Sequence, residues 1–276
     1  MAEFKPRSFF TPSVSRVVFG AGMFDTAVVE EVGLLCAAGG NVVVVCPPGR
    51  GESLGDAAVS LLHAAGFDAS KVAMTKQHVP ADLVDDAVAA STCGVVGLWG
   101  GVRFAWLTCA PRSVRAASSN VAVAIGGGST IGLVKAAAVQ LPSMRYIAVP
   151  TTYAGSEMTN IYGIKRAEGK VTGRNDHVRP ATIIYDPQLS ASLPVAVSVT
   201  SLFNAMAHSV EAPSTDPALQ LIAEESLHVA VKAVERIKPD TDAASSAGAG
   251  AQGAASAVDT ASAVTVPRVS CSVSRC

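Results

Sequence analysis

Several features are scarce or missing in this 276-residue sequence. Its six cysteines are scattered without a C-x-x-C pair or other metal-ligand spacing, which is typical of reduced thiols and predicts a cytoplasmic location. The net charge of -1 does not favour nucleic acid or an anionic membrane surface as a partner. The first residues lack the apolar core of a signal peptide, and the apolar run at 93–110 contains four glycines and Arg103. We therefore expect no membrane span.

The sequence does contain a strand-to-helix junction, VAVAIGGGSTIGLVKA, at residues 121–136. The small apolar residues ending at Ile125 are typical of a strand buried in a parallel sheet. A helix that begins after the glycines presents unpaired N–H groups and the positive end of its dipole, which favours a phosphate group. We interpret this junction as a phosphate-binding loop, and the alternative is a tight turn without a ligand. The glycine loop, as we call it, consists of Gly126, Gly127, Gly128 and Ser129.

Apolar runs alternate with helical patterns on both sides of the glycine loop. Before it, we predict strands at 9–20, 41–46 and 71–74, and helices at 24–38, 52–65 and 80–90. After it, we predict strands at 144–149 and 181–186, and a two-stranded excursion at 157–164 and 170–173. This order predicts an α/β fold in which residues 1–187 form a nucleotide-binding domain with a parallel sheet.

The spacing of apolar residues becomes purely helical after Pro187. Two amphipathic helices, at 195–212 and 216–237, predict the start of an all-helical catalytic domain over residues 188–238. Each exposes an apolar face, which predicts either self-association, for example as a homodimer, or poor solubility.

Two stretches, 91–120 and 239–276, lack the periodicity of their surroundings. The first is an anomalous insertion between a helix and a strand. The second contains a run of almost only Ala, Ser, Gly and Thr, which predicts a disordered tail. We predict that both derive from translated intron or shifted-frame sequence and do not pack on the core. A natural loop and a natural short tail are the alternative.

Five segments share motifs with one enzyme family: AIGGGST (124–130), PTTYAGSEM (150–158), TGR (172–174), YDP (185–187) and NAMAHSVE (204–211). They resemble the iron-containing alcohol dehydrogenase family, of dehydroquinate-synthase-like fold, and within it the maleylacetate reductases. The resemblance covers about residues 8–90 and 120–238. It implies an NADH- or NADPH-dependent reductase that converts the small dicarboxylate 2-maleylacetate to 3-oxoadipate in microbial aromatic-ring degradation.

The same resemblance implies where the cofactor binds. The glycine loop would contact the diphosphate, and Thr151 and Thr152 would line the adenosine and nicotinamide side. Arg50, after the strand at 41–46, would flank the adenine ribose. No acidic residue follows that strand closely, and such a residue normally disfavours a 2′-phosphate. Arg50 favours NADPH unless it is simply solvated, so both cofactors stay open.

The resemblance also implies candidate catalytic and substrate-binding residues. Metal-dependent members have an aspartate where this chain has Asn204, one helical turn before His208. Because a neutral amide is a poorer ligand for a divalent cation than a carboxylate, we expect no metal. We expect His208 to position a carboxylate or donate a proton, and its alternative is a hydrogen-bonded core histidine. Arg174 and Lys170 are candidate contacts to a substrate carboxylate or cofactor phosphate, or are simply exposed.

The chain departs from the family after Ile237. Family members continue with more helices that contain paired histidines, whereas no histidine follows Ile237 here. We therefore expect a truncated catalytic domain. Two alternatives are a metal-dependent alcohol dehydrogenase of the same family and a nucleotide-binding remnant without catalysis.

Overall fold

The computed structural model describes residues 7–9, 16–73, 121–166, 169–212 and 217–237. Within these ranges, seven strands form one sheet with the order β1-β2-β9-β6-β5-β3-β4. All neighbours are parallel except β1 and β2. The strands are β1 (Arg7–Phe9), β2 (Arg16–Phe19), β3 (Asn41–Cys46), β4 (Asp68–Ala73), β5 (Val121–Gly126), β6 (Arg145–Pro150) and β9 (Thr182–Tyr185). The predicted α/β fold with a parallel sheet is confirmed.

Helices cover both faces of the sheet because its central strands are apolar on both sides. Val42 and Val44 of β3 belong to the core shared with α1 (Phe24–Leu35) and α2 (Glu52–Ala64). Val43 and Val45 belong to the opposite core, shared with α3 (Gly128–Gln140). Alternate side chains of one strand thus enter two separate cores, as a strand with a period of two requires.

The remaining elements lie outside the seven-stranded sheet. A two-stranded hairpin, β7 (Ile161–Arg166) and β8 (Gly169–Arg174), confirms the predicted excursion. Its first strand begins at Ile161 rather than at 157, because Ser156–Met158 forms a 3-10 helix. After the short α4 (Pro187–Ser190), the long helices α5 (Val195–Glu211) and α6 (Pro217–Arg236) pack against each other. In the part of the chain that the structure describes, no helix is long and apolar enough to span a membrane.

Three other predicted boundaries differ from the structure. Of the strand predicted at 9–20, the structure describes Phe9, which ends β1, and Arg16–Phe19, which forms β2, and these two strands pair antiparallel. Helix α1 ends at Leu35 rather than near residue 38, because Cys36 already has extended dihedrals. Strand β4 begins at Asp68 rather than at 71, because pairing with β3 continues from Asn41 to Cys46. Tertiary pairing therefore overrides a weak local pattern.

Some predictions lie outside the described residues. They concern the helix at 80–90, the insertion at 91–120 and the tail at 239–276. The domain boundaries built on them stay predictions.

Asp186 joins the end of the sheet to its beginning. This carboxylate is 4% exposed and accepts hydrogen bonds from the N–H groups of Gly22 (3.0 Å), Phe24 (3.0 Å) and Gln188 (2.9 Å). It therefore fixes the turn before α1 and the start of α4 against β9.

We expect Asp186→Ala to lower the free energy of unfolding by about 3 kcal/mol, because three N–H groups, of which that of Phe24 is buried, lose a charged acceptor. Asp25→Ala is the matched control, since Asp25 is exposed in the first turn of α1 and its loss should cost less than about 1 kcal/mol. Urea unfolding of both variants measures the difference. Equal losses would contradict the role of Asp186.

Candidate cofactor site

The sheet has a crevice where its connections change direction. Strands β3 and β5 are parallel neighbours, but α2 follows β3 on one face and α3 follows β5 on the other. Beyond the carboxyl ends of β3 and β5, the chain therefore turns to opposite faces of the sheet, and a crevice lies between the two connections. In open parallel sheets, such a switch point is where ligands bind.

The glycine loop lies at this crevice. Gly126 ends β5 with a φ of +153°, a conformation that favours glycine. Gly127 is the N-cap residue of α3, and no side chain caps this helix. The first N–H groups of an α-helix have no partner within the helix, so the start of α3 presents donors to the crevice. The predicted strand and helix are confirmed, but the helix begins at Gly128 rather than after the glycines, so only Gly127 lies between the two elements.

The glycines are required by neighbouring protein atoms. A Cβ on Gly127 would lie 2.9 Å from Cγ2 and 3.0 Å from Oγ1 of Thr152. A Cβ on Gly128 would lie 3.3 Å from the Cβ of Ala154. Side chains at these two positions would therefore meet the segment after β6.

That segment, residues 151–155, is named the threonine loop here. The N–H group of Thr151 donates to the carbonyl of Gly126 at 3.1 Å, so the loop leaves the sheet beside the glycine loop. The N–H group of Tyr153 donates to Ser201 Oγ on α5 at 2.9 Å. The structure therefore brings Thr151 and Thr152 to the glycine loop and anchors α5 on the same segment.

The segment after β3 lies on the other side of the glycine loop. The backbone of Arg50 forms a single turn at Gly49–Gly51. A Cβ on Gly126 would lie 3.1 Å from Cδ of Pro47, so the start of this segment packs beside the glycine loop. The predicted contact of Arg50 with a ribose stays a prediction.

Helix α5 contains both candidate catalytic residues, Asn204 and His208, in different surroundings. The amide of Asn204 donates to the carbonyl of Ala154 at 3.4 Å, so Asn204 adjoins the threonine loop. His208 lies one turn further along α5 and is exposed, and its role stays a prediction. No group of three His, Cys, Asp or Glu side chains within the described ranges is arranged to bind a metal ion. The expectation that no metal binds stays a prediction.

The candidate substrate residues lie on the hairpin. Arg174 ends β8 opposite Ile161 and is exposed, and the backbone of Lys170 pairs with Lys165. Contact of Arg174 or Lys170 with a substrate or phosphate stays a prediction.

The sequence reasoning missed a buried polar cluster beneath the threonine loop. Lys135 of α3 and Glu157 are each 1% exposed. Burial lowers the pKa of Lys135 to about 8, and burial raises the pKa of Glu157 although Tyr185 donates to it at 2.8 Å. The sequence reasoning did not single out Lys135. A charged residue inside an otherwise apolar helix was the available signal.

Ser156 was also missed. Its hydroxyl is buried and has no hydrogen-bond partner among the residues that the structure describes. It lies 3.8 Å from the position of a Cβ on Gly128, next to the start of α3. A buried hydroxyl without a partner is uncommon, so a ligand at the helix start would satisfy it.

Comparison with known proteins confirms the resemblance to the iron-containing alcohol dehydrogenase family. Residues 108–187 match the family model described as "Iron-containing alcohol dehydrogenase". That match begins inside the stretch 91–120, whose origin stays a prediction.

The similar proteins include maleylacetate reductases. The chain is 46% identical over 129 residues to maleylacetate reductase of Pseudomonas knackmussii, covering 46% of this chain and 36% of that protein. It is 37% identical over 230 residues to maleylacetate reductase of Pseudomonas sp. strain P51, covering 82% and 57%. The crystal structure of maleylacetate reductase from Agrobacterium tumefaciens matches with a TM-score of 0.64 at 26% identity, covering 93% and 65%. The chain thus spans only about a third to two thirds of these proteins.

A double-mutant cycle tests whether Thr152 is the group that a side chain at Gly127 would contact. We expect Gly127→Ala to lower the free energy of unfolding by about 1–3 kcal/mol, because its Cβ meets Thr152. Thr152→Ala removes Cγ2 and Oγ1 and leaves a Cβ 3.6 Å away, so Gly127→Ala/Thr152→Ala should recover most of that loss. Urea unfolding measures each variant. Strictly additive losses would show that Thr152 is not the obstructing group.

Proposed function

We propose that this chain contains the cofactor-binding part and the first catalytic helices of an NAD(P)H-dependent reductase that acts on 2-maleylacetate and yields 3-oxoadipate. The observation that supports it best is the uncapped start of α3, packed against the threonine loop at the switch point of the sheet. The relatives named maleylacetate reductase support the substrate. The proposal includes a cytoplasmic location, with no nucleic acid or membrane as partner.

The residues present fit a dinucleotide. The N–H groups at the start of α3 and the hydroxyl of Ser129 bind the diphosphate. The buried hydroxyl of Ser156 gains the hydrogen bond that it lacks among described residues. Thr151 and Thr152 line the adjoining side, and Arg50 flanks the adenine ribose, which leaves both NADH and NADPH as candidates. When bound, the nicotinamide supplies a hydride.

The candidate substrate residues supply charge and protons. Arg174 and Lys170 bind carboxylates of the substrate or a cofactor phosphate. His208 is exposed on α5, where it positions a carboxylate or donates the proton that accompanies the hydride. Asn204 adjoins the threonine loop and offers an amide to the substrate or nicotinamide.

The proposed reaction needs no metal. Asn204 replaces a charged ligand with a neutral amide, which weakens binding of a divalent cation. The alternative is a metal-dependent alcohol dehydrogenase, as the family name suggests. A stoichiometric divalent metal whose removal abolishes turnover would establish that alternative.

A second candidate function is nucleotide binding without catalysis, either by a single chain or by a homodimer. Large apolar side chains exposed on α5 and α6, including Phe203, Val210 and Leu221, favour self-association.

Two assays on the full chain test these functions. Titration of NADH and NADPH, followed by fluorescence, should show saturable binding of at least one. Oxidation of NADH or NADPH that depends on maleylacetate should then be measurable. Binding without turnover would favour the non-catalytic function. If neither cofactor binds, both proposals that rest on the glycine loop fail.

A further inference from the structure

A buried ammonium group joins α3 to the segment that follows the threonine loop. Lys135 lies two turns beyond Gly128 on α3 and is 1% exposed. Its Nζ donates to the carbonyl of Ser156, to the carbonyl of Thr159 at 2.8 Å and to the carbonyl of Ile161 at 3.1 Å. It also donates to Thr159 Oγ1 at 3.0 Å. One side chain thus organises the backbone of residues 156–161.

Burying the ammonium group of Lys135 costs free energy. Removing an ammonium group from water is unfavourable, and an apolar residue would suit the rest of α3. Glu157 offers a negative charge close by, yet one of its carboxylate oxygens, Oε2, has no hydrogen-bond partner among described residues. The cluster is therefore not a fully paired structural unit.

Residues 156–161 continue directly from the threonine loop. Ser156 contributes its carbonyl to Lys135 and places its unpartnered hydroxyl beside the start of α3. The helix that begins at the glycine loop therefore also fixes the position of the segment facing it. Movement of one relative to the other is limited by Lys135.

We propose that Lys135 is a positioning residue, whose ammonium fixes Ser156 and the threonine loop at the distance from the start of α3 that the dinucleotide requires. This inference rests on the proposed cofactor site. Lys135 does not itself contact the cofactor. It acts through the backbone of residues 156–161.

Lys135→Met tests the proposal, since methionine has a similar length and no charge. We expect the dissociation constant of NADH to rise about tenfold or more, because several carbonyls lose their donor and the segment becomes less ordered. Lys71→Met is the matched control: Lys71 lies on β4, where its Nζ pairs with Asp56 at 2.6 Å. We expect that control to bind NADH like the wild type.

A milder variant guards against misfolding. Thr159→Val keeps the shape of the side chain and Lys135 itself, but it removes one acceptor of the ammonium. We expect an affinity loss of about threefold in the same direction. A folded Lys135→Met protein with wild-type NADH affinity would overturn the proposal.

The pH dependence of NADH affinity is a second measurement, because it should follow the charge of Lys135 only if that charge positions the cofactor site. Burial lowers the pKa of Lys135 to about 8, and of its charged neighbours Glu157 raises that pKa and Arg179 lowers it. Burial raises the pKa of Tyr146 and Tyr185 well above the ordinary value, so neither loses its proton near pH 8. The affinity of the wild type for NADH should therefore fall between pH 7 and 9, and Lys135→Met should lack that slope. The same slope in both proteins would contradict the assignment.

Hydrogen exchange separates this inference from the proposed function. Amides of residues 156–161 should exchange faster in Lys135→Met, whereas amides of β5 should not change. If the wild type binds neither NADH nor NADPH, the proposed function fails, and unchanged exchange at 156–161 would then overturn the role of Lys135 as well. If the wild type binds NADH and both exchange and affinity are unaffected by the variant, only the inference fails.

Discussion

The close approach of two loops at the carboxyl edge of the sheet determines the candidate site. Gly127 has no side chain, and the space that a Cβ would need is already limited by Thr152. The hydrogen bond from the N–H of Thr151 to the carbonyl of Gly126 fixes the two loops at the same level. The start of α3 has no capping side chain, so its first N–H groups remain available to a ligand. The buried strands β5 and β6 provide the rigid support on which this contact depends.

Much of this arrangement could be predicted from local patterns. The strand at 121–126, the glycines and the helix after them follow from apolar periodicity and from the conformational range of glycine. The hairpin β7–β8 and the helices α5 and α6 followed from the same reasoning. The reason for the glycines could not be predicted, because Thr152 lies far from Gly127 in sequence and approaches it only through the pairing of β5 with β6. Packing between distant segments leaves no local signal.

Buried polar residues were the least predictable part of the site. Lys135 occupies a position of α3 that faces the core, as the helical spacing indicates, but its side chain is charged rather than apolar. Its partners are backbone carbonyls of residues 156–161, which any sequence would supply. Ser156 was quoted only as part of a family motif. In the structure, Ser156 differs from the rest of that motif because its buried hydroxyl lacks a hydrogen-bond partner among described residues.

Hydrogen exchange with and without NADH tests the central claim most directly, namely that the glycine loop and the threonine loop together bind the dinucleotide. Saturating NADH should slow exchange at residues 127–131 and 151–156, because binding satisfies or covers these amides, and leave α1 (Phe24–Leu35) unchanged. If NADH binds but both loops exchange at their original rates, the cofactor site lies elsewhere and the account is wrong.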